Sequence, residues 1–429
     1  MSKTKKATLE ISGIGAGGDG LAMFEGGQAF VPFTVTGDVA EVSLTAKGAR
    51  NWQGQLVKLV GENPNRIDPT CKHFTTCGGC SLQHVEGDYY KNWIIERVNT
   101  ALSHQGISDI EVFEPLISPT HSRRRLALKA FHSGRAVVLG FNKRKSHQIV
   151  NIETCPVAKQ EMIDLLPTIR ELLAKLISNR QSGDVDMLYL DGRLGMQISL
   201  PADPDLAGRE ALAEFANTNN LATLSISVGG YPELVAENSP FTYGFNADVP
   251  VTVPISAFLQ ATDEGEAALQ HAVLGAIESH GADDDVVENV VDLFSGLGTF
   301  SLPLAKRYKT LAVEGELRLV NAQKSGAQQK TMTNLEVDHR DLFRRPLTTK
   351  ELSQFNAVVF DPPRAGAEAQ VEMLANSQVP LIIGVSCNPN TFARDARTLL
   401  DGGYKLQSIQ PVDQFLWSHH VELVGVFTK

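Results

Sequence analysis

The sequence of 429 residues has few cysteines, no apolar run that approaches the length of a membrane span, and no apolar segment behind its basic amino terminus. A membrane-spanning helix needs about 20 apolar residues, and a secretory signal needs an apolar region after its basic residues. We therefore expect a cytoplasmic protein without a membrane partner. The five cysteines are too few for a disulfide framework in a chain of this length, and three of them lie between positions 71 and 80. This usage indicates metal binding or catalysis.

The formal net charge of −10 hides an uneven distribution of charged residues. Residues 121–148 contain eight Lys and Arg and no Asp or Glu, whereas residues 262–288 contain eight Asp and Glu and no Lys or Arg. The basic run could be an ordinary solvated surface. We favour a phosphate-binding surface, because Arg123, Arg124 and Arg125 concentrate positive charge inside a strand-like pattern. The acidic total therefore does not exclude a nucleic-acid partner.

The first 60 residues form a predicted domain of their own. Strand-like runs separated by glycine turns occur at 7–11, 28–33, 39–44 and 54–60. Their even spacing predicts a small β-barrel. The glycine-rich loop at 15–20 is not followed by a helical pattern, so we interpret it as a turn and not as a nucleotide-binding loop.

Three cysteines at spacings of five and two residues, Cys71, Cys77 and Cys80, can surround one metal centre. The fourth ligand would be Cys155, the only other cysteine besides Cys387. This grouping of three and one favours a [4Fe-4S] cluster over zinc, whose structural sites usually pair their ligands two and two. Zinc stays the alternative, and His73 or His84 could complete such a site.

Residues 61–250 form the second predicted domain, an α+β unit that carries the cysteines and the basic run. Helical periodicity extends over 89–105 and 159–177, and strand-like runs occur at 124–150, 187–190, 194–200 and 224–228. No internal repeat or low-complexity tract interrupts this region.

From residue 251 to 429 the pattern changes to alternating strands and helices, which is typical of a doubly wound parallel sheet. Asp292 ends the first strand and precedes the turn that contains Phe294, Gly296 and Gly298. A carboxylate beside a glycine turn suits a cationic ligand such as S-adenosylmethionine. Glu314, at the end of the next strand, is placed to bind ribose hydroxyls, and Asp341, after the third strand, could bind the adenine amino group.

Three further chemical groups follow later strands and are expected at the same sheet edge. Asp361 ends the fourth strand and is presented rigidly by Pro362 and Pro363. Cys387 ends the fifth strand, in Ser-Cys-Asn-Pro, and two terminal strands would return Glu422 to this edge. A lone cysteine at a strand end is more often a small buried apolar residue, but the convergence of these groups favours catalysis.

Four segments together resemble the RNA uracil-C5-methyltransferases. They are Asp-Leu-Phe-Ser-Gly-Leu-Gly at 292–298, Asp-Pro-Pro-Arg-Ala-Gly at 361–366, Ser-Cys-Asn-Pro at 386–389 and His-Val-Glu at 420–422. The cysteine set is similar to that of the iron–sulfur branch of this family, the bacterial 23S rRNA enzymes, and residues 1–60 resemble their TRAM domain, an OB-type RNA-binding module. The resemblance covers essentially the whole chain.

The resemblance implies a covalent mechanism. Cys387 would add to C6 of uracil, which makes C5 nucleophilic towards the methyl group of S-adenosylmethionine. Asp361 would orient the base and also contact the cofactor, and Glu422 would remove the C5 proton. The target base would be flipped out of its stack. RNA is the implied partner, and we expect a monomer.

The resemblance also implies three contacts in other parts of the chain. Gln260 would contact the cofactor and Phe258 would stack on the base, although this sequence has Phe-Leu-Gln-Ala-Thr where the family usually has Phe-Phe-Gln-Val-Asn. Arg125 would contact the RNA backbone. Three alternatives remain: the same reaction at the T-loop uridine of tRNA, a non-catalytic iron–sulfur protein that binds RNA, and a DNA cytosine methyltransferase, which would use Pro-Cys and is disfavoured.

Overall fold

A computed structural model describes residues 4–281 and 286–429. Three of the acidic residues counted above, Asp283, Asp284 and Asp285, lie outside the described residues. The secondary structure is organised around three large sheets.

The amino-terminal sheet has six strands in the order β1-β5-β6-β4-β3-β2. The strands are β1 (Lys5–Glu10), β2 (Gly13–Ile14), β3 (Asp19–Phe24), β4 (Gly27–Pro32), β5 (Val39–Ala46) and β6 (Asn51–Val60). Alternate residues of β4 and β5 are buried in a small apolar core, as the period of two along a strand requires. The glycine-rich loop between β2 and β3 is a turn, in which Gly15 N donates to Asp19 O at 2.8 Å. The prediction of a turn at this loop is confirmed.

The next segment packs against the carboxyl-terminal part of the chain. It comprises α1 (Gly87–Ser103), β7 (Glu111–Val112) and β8 (Leu116–Ile117). Helix α1 begins after Glu86, whose carboxylate caps the amides of Asp88 and Tyr89. Its apolar face, which includes Trp93, joins the same core as Val291 and Phe392. A helix was predicted at 89–105, close to these bounds.

The central sheet has seven strands in the order β11-β10-β9-β12-β13-β14-β15. These are β9 (Arg125–Ser133), β10 (Ala136–Asn142), β11 (Ile149–Asn151), β12 (Ser182–Leu190), β13 (Arg193–Leu200), β14 (Thr223–Val228) and β15 (Tyr231–Glu237), with helices α2 (Gln160–Asp164), α3 (Leu166–Leu176) and α4 (Leu206–Thr218). The prediction of a single helix at 159–177 is wrong, because the helix is interrupted between α2 and α3. Pro167 lies in the first turn of α3, where its missing amide is tolerated.

The basic and acidic runs meet inside the protein. The Arg124 side chain is 0% exposed and forms ion pairs with Asp263 at 2.6 Å and with Glu266 at 2.7 Å. Its Nε donates to the carbonyl of Gln260 at 3.0 Å. The prediction that Arg124 belongs to a phosphate-binding surface is therefore wrong: this guanidinium holds the segment around Gln260 in place.

The carboxyl-terminal part follows a short hairpin of β16 (Thr242–Tyr243) and β17 (Val251–Thr252) and the long helix α5 (Asp263–Gly281). Its strands are β18 (Asn289–Leu293), β19 (Lys309–Glu314), β20 (Leu335–His339), β21 (Ala357–Phe360), β22 (Leu381–Ser386), β23 (Lys405–Asp413) and β24 (Glu422–Thr428), and its helices are α6 (Ser301–Ala305), α7 (Leu317–Gln329), α8 (Thr349–Leu352), α9 (Glu368–Ala375) and α10 (Pro389–Asp401). The order is β20-β19-β18-β21-β22-β24-β23-β7, with β8 also pairing with β23. The first five strands in this order are parallel, and β24 is antiparallel to both of its neighbours.

The predicted parallel α/β sheet is present, and its strand ends meet along one edge. The domain bounds at 60 and 250 stay predictions. Although α1, β7 and β8 precede the central sheet in sequence, they pack with the carboxyl-terminal sheet. Within residues 4–281 and 286–429, none of the helices combines the length and apolarity needed to traverse a lipid bilayer.

Candidate active site

The edge at the carboxyl ends of the parallel strands holds most of the predicted site residues. Asp292 lies near the end of β18, Glu314 ends β19, and Asp361 and Cys387 directly follow β21 and β22. Glu422 begins β24, which runs antiparallel to β22, so it arrives at the same edge from the opposite direction. Burial raises the pKa of Cys387, and the charges of Glu422 and Asp361 raise it further. These three groups therefore lie close to one another in one site.

The turn after β18 has the strained backbone that its glycines allow. Gly296 and Gly298 have φ angles of 57° and 102°, in a region that residues with a Cβ rarely adopt. Gly296 N donates to one oxygen of Glu314 at 2.9 Å, and Glu316 N donates to the other at 2.7 Å. The Glu314 carboxylate is therefore held rigidly beside the turn.

Asp292 is a fully buried carboxylate near the end of β18. Neither oxygen has a hydrogen bond of good geometry within the part of the chain that the structure describes. The Ser301 hydroxyl donates to Gln323 at 3.2 Å, although Ser301 is close enough to lower the pKa of Asp292. Burial raises the pKa of Asp292 to about 8. A cationic ligand would restore the charged form, so Asp292 fits the sulfonium or ammonium group of S-adenosylmethionine.

Phe294, within the glycine turn, packs against Phe343, which follows β20. The rings of Phe294 and Phe343 lie 5.3 Å apart, and Phe343 is half exposed. Asp341 accepts hydrogen bonds from the amides of Phe343 at 3.0 Å and Arg344 at 3.3 Å. Sequence reasoning missed Phe343, although an aromatic residue two positions after a strand-exit acid could have indicated it.

Gln260 is tied to the edge through two side chains. Its Nε2 donates to Asp361 Oδ2 at 3.4 Å, and its Oε1 accepts a hydrogen bond from Gln414. Gln414 in turn accepts the amide of Ala261 at 2.5 Å and, by bonding to Glu422, lowers the pKa of that carboxyl. Sequence reasoning did not identify Gln414.

Cys387 and the two carboxyl groups beside it all have raised pKa values. Burial raises the pKa of Cys387 to about 11, that of Glu422 to about 8 and that of Asp361 to about 7. The proximity of Asp361 contributes to the shift at Glu422. A pair of interacting carboxyl groups in this range can exchange a proton with a bound base at neutral pH.

The four remaining cysteines line one cavity of about 370 Å³, and all of them are free thiols. Cys71, Cys77 and Cys80 lie in the loop before α1, and Cys155 follows β11. Among the described residues no three His, Cys, Asp or Glu side chains are close enough to hold a single metal ion. His73 also lines this cavity, whereas His84 is fully buried and packs against Phe74.

The loop between β23 and β24 forms part of this cavity and leads directly to Glu422. Phe415 and His420 contribute to the cavity wall. The carbonyl of Trp417 accepts the amides of Ser81 at 2.8 Å and Leu82 at 3.0 Å. The cysteine loop and the predicted catalytic base are therefore connected through one short segment.

The two predicted RNA-contact residues lie on adjoining segments. Phe258 is 63% exposed two residues before Gln260, so its ring is free to stack on a base. Arg125 is partly buried, and its guanidinium donates to the carbonyl of Ala257 at 2.7 Å. The structure thus gives Arg125 a role in holding the Phe258 segment, and its contact with RNA stays a prediction.

Comparisons with known proteins agree with this geometry. The family model described as tRNA (uracil-5-)-methyltransferase matches residues 264–429. A Brucella melitensis protein named as an RNA methyltransferase is 38% identical over 100% of this chain and 99% of its own length. The 23S rRNA (uracil(1939)-C(5))-methyltransferase RlmD of Shewanella woodyi is 30% identical over 98% of this chain and 96% of its own.

The chain belongs to the RNA uracil-C5-methyltransferase family. As a member of this family, the protein is an S-adenosylmethionine-dependent RNA (uracil-5-)-methyltransferase, which excludes the non-catalytic alternative. Its fold matches the crystal structure of Pyrococcus abyssi tRNA (uracil-54, C5)-methyltransferase in complex with S-adenosyl-L-homocysteine, with a TM-score of 0.75 and 22% identity over 98% of this chain and 99% of the other. The mixed α/β methyltransferase fold is thereby confirmed.

Proposed function

We propose that this enzyme methylates C5 of a uridine in 23S rRNA through a covalent bond between Cys387 and uracil C6. The observation that carries the mechanism is the convergence of Cys387, Asp361 and Glu422 at one sheet edge, where both carboxyl groups raise the pKa of Cys387 and Asp361 raises that of Glu422. The observation that favours rRNA is the relation to the Shewanella woodyi enzyme over nearly the full length of both chains.

The reaction begins when the Cys387 sulfur adds to C6 and breaks the C5–C6 double bond. Its electrons move to C5 and the neighbouring carbonyl, so C5 can take the methyl group that leaves the sulfonium. Glu422 then removes the C5 proton, the C5–C6 double bond re-forms, and the thiolate is released. A protonated Asp361 would donate to the uracil edge and orient the ring.

The high pKa of Cys387 fits a thiol that is activated only in the complete complex. Two carboxyl groups raise this pKa and Arg364 lowers it. A sulfonium bound nearby would add a positive charge, and a positive charge favours the thiolate. The nucleophile would then form when both substrates are present.

The proposed cofactor contacts divide between the two ends of the S-adenosylmethionine molecule. Asp292 and Gln260 would bind near the sulfonium and the amino acid group. Glu314, which is already oriented by two backbone amides, would accept from the ribose hydroxyls. Phe294, Gly296 and Asp341 would surround the adenine, with Phe343 as an additional apolar surface.

We also propose that Cys71, Cys77, Cys80 and Cys155 hold a [4Fe-4S] cluster. Three of the cysteines lie in one loop and the fourth follows β11, whereas structural zinc sites usually pair their ligands two and two. The four cysteines surround a cavity of about 370 Å³ with an apolar lining that includes Phe74 and Ile152. A cavity of this kind suits an iron–sulfur cluster, which is larger than a single zinc ion and is shielded from water by the apolar lining. Its role would be structural, and the six-stranded amino-terminal sheet would act as a TRAM-type RNA-binding module.

The tRNA T-loop uridine is the second candidate substrate. It is favoured by the fold match to a tRNA-modifying enzyme, which extends over 98% of this chain. Because that match includes the amino-terminal sheet, the presence of this sheet does not distinguish rRNA from tRNA. A monomeric state and a cytoplasmic location remain predictions.

The substrate is tested by mapping 5-methyluridine in rRNA and tRNA from cells with and without this gene. Loss of the nucleoside at one position of 23S rRNA, with tRNA unchanged, would support the proposal and identify the uridine. Loss from tRNA alone would keep the reaction and overturn the substrate.

A further inference from the structure

Arg97, on helix α1, has no anionic partner within the part of the chain that the structure describes. Its Nη1 is buried and has no acceptor among residues 4–281 and 286–429. The guanidinium lies over the ring of Trp93, with 5.6 Å between the guanidinium carbon and the ring centre. Burial lowers the pKa of Arg97 to about 10, and Arg364 lowers it further. A buried positive charge is unfavourable unless an anion or a hydrogen-bond acceptor compensates it. The geometry therefore predicts that Arg97 binds an anion.

Other basic groups surround the same place. Arg364, three residues after Asp361, is exposed. The rings of His419 and His420 lie 4.3 Å apart, and Arg97 and Arg364 both lower the pKa of each of these histidines, after the larger effect of burial. The one acid that acts on His419 is Asp19, and Asp19 is already paired with Arg144.

This basic cluster, formed by Arg97, Arg364 and His419, lies beside the proposed nucleophile. Arg364 also lowers the pKa of Cys387. Helix α1 is fixed to the loop that leads to Glu422, because Tyr90 donates to Asp413 at 2.6 Å and accepts the amide of Trp417 at 3.1 Å. The anion would therefore be held at a set position relative to the reacting base.

We propose that Arg97, together with Arg364 and His419, binds a phosphate of the RNA chain next to the target uridine. The inference rests on the proposed catalytic site at Cys387. A nucleotide that reaches this cysteine carries its phosphates with it, and a fixed phosphate contact positions the strand without reading its sequence. Such a contact would set which nucleotide enters the pocket.

The carboxylate of S-adenosylmethionine is the other anion near this site, and the structure favours the phosphate. The charged groups that act on Arg97 are Arg364 and the Tyr90 hydroxyl, and Asp292, which we propose for the amino acid end of the cofactor, is not among them. The basic cluster thus belongs to the side of the edge formed by α1 and the β23–β24 loop.

The test compares Arg97→Gln with Lys91→Gln, which removes a positive charge from an exposed position of the same helix. Binding of each full-length variant to a fluorescent uridine oligonucleotide of about twelve residues is measured at several salt concentrations. For a single strand, loss of one phosphate contact reduces the slope of log K against log salt by about 0.7. We expect this reduction for Arg97→Gln, no change for Lys91→Gln, and retention of the slope in Arg97→Lys.

Two results would overturn the inference: an unchanged slope for Arg97→Gln, or weaker binding of S-adenosylmethionine by this variant with RNA binding intact. Thermal melting provides the folding control, since removal of an unpaired buried charge should not lower the melting temperature. These experiments measure binding or folding and do not depend on methylation. Failure of the proposed methylation chemistry would appear separately, as the absence of 5-methyluridine from RNA incubated with the unsubstituted protein.

Discussion

Gln414 donates a hydrogen bond from its side-chain amide to Oε1 of Gln260. This bond fixes the orientation of the Gln260 amide, because an oxygen that accepts from Gln414 leaves the Gln260 nitrogen to donate towards Asp361, at 3.4 Å. Gln414 also lies close enough to Glu422 to lower the pKa of that carboxyl. One buried glutamine therefore positions three residues that we propose to act on the substrates.

Substitution Gln414→Glu tests this positioning role. A carboxylate accepts but does not donate, so the Gln260 amide would turn its nitrogen away from Asp361 and present its oxygen to that carboxylate. The pKa of Asp361 and Glu422 would rise, and we expect the pH–rate profile to move to higher pH, with a fall in kcat on the order of tenfold (about 1.4 kcal/mol). Gln407→Glu, at an exposed position of β23, the strand that ends immediately before Gln414, is the matched control. A profile that coincides with that of the control would contradict the role.

Substitution Glu422→Gln should separate addition from release. Cys387 can still add to uracil and C5 can still be methylated, but the C5 proton has no base to receive it. We expect a protein–RNA adduct that survives a denaturing gel, and its loss when Cys387→Ala is added to the variant. Absence of an adduct with Glu422→Gln alone would show that another group removes the proton.

The stability of the ligand-free protein should fall as the pH rises. Folding raises the pKa of Asp292 from 3.8 to about 8 and that of Glu422 from 4.5 to about 8. A carboxyl whose pKa is raised in the folded state contributes most below its ordinary pKa, and the contribution is lost as the pH rises through the folded value. Melting temperatures measured from about pH 5 to about pH 9 should therefore decrease, and less steeply in Asp292→Asn. An identical slope in this variant would show that Asp292 is not a buried neutral acid.

Substitution Gly298→Ala should damage the turn that precedes α6. The φ angle of 102° is unfavourable for alanine, and an added Cβ would lie 2.7 Å from Leu302 Cδ1. We expect a loss of about 1–3 kcal/mol in stability and weaker binding of S-adenosylmethionine in calorimetry. Gly275→Ala is the control, because it lies within α5 where the described structure leaves space for a methyl group, and it should gain about 0.5–1 kcal/mol. Equal behaviour of the two variants would contradict the strained turn.

Substitution Cys155→Ser tests the proposed cluster by composition. Protein purified without oxygen should contain iron and acid-labile sulfide, and Cys155→Ser should lose most of both. The same replacement at the active site, Cys387→Ser, should leave iron and sulfide unchanged. Zinc in place of iron, or full iron in Cys155→Ser, would overturn the ligand set.

The sequence predicted the strands well where local pattern decides them. Strand-like runs between glycine turns indicated β4 and β5, and near-continuous apolar runs indicated β21 and β22, which are buried on both faces. Because parallel strands end at a common edge, the proximity of Asp361 and Cys387 followed from topology. These predictions needed no knowledge of long-range side-chain contacts.

The failures came from contacts between residues far apart in sequence. Arg124 looked like a surface charge because its partners, Asp263 and Glu266, are more than a hundred positions away. Gln414 had no local signal, since its role depends on Gln260 in another segment. The break before α3 was missed because the apolar period of 159–177 continues through it, while Pro167 in the next helix marks the boundary.

The most direct test of the account is methylation by the purified protein and by Cys387→Ala. Each is incubated with 23S rRNA and isotopically labelled S-adenosylmethionine, nucleosides are analysed by mass spectrometry, and RNA affinity is measured in parallel. We predict labelled 5-methyluridine from the unsubstituted protein, none from Cys387→Ala, and equal RNA affinity for both. Labelled 5-methyluridine formed by Cys387→Ala would contradict the covalent mechanism.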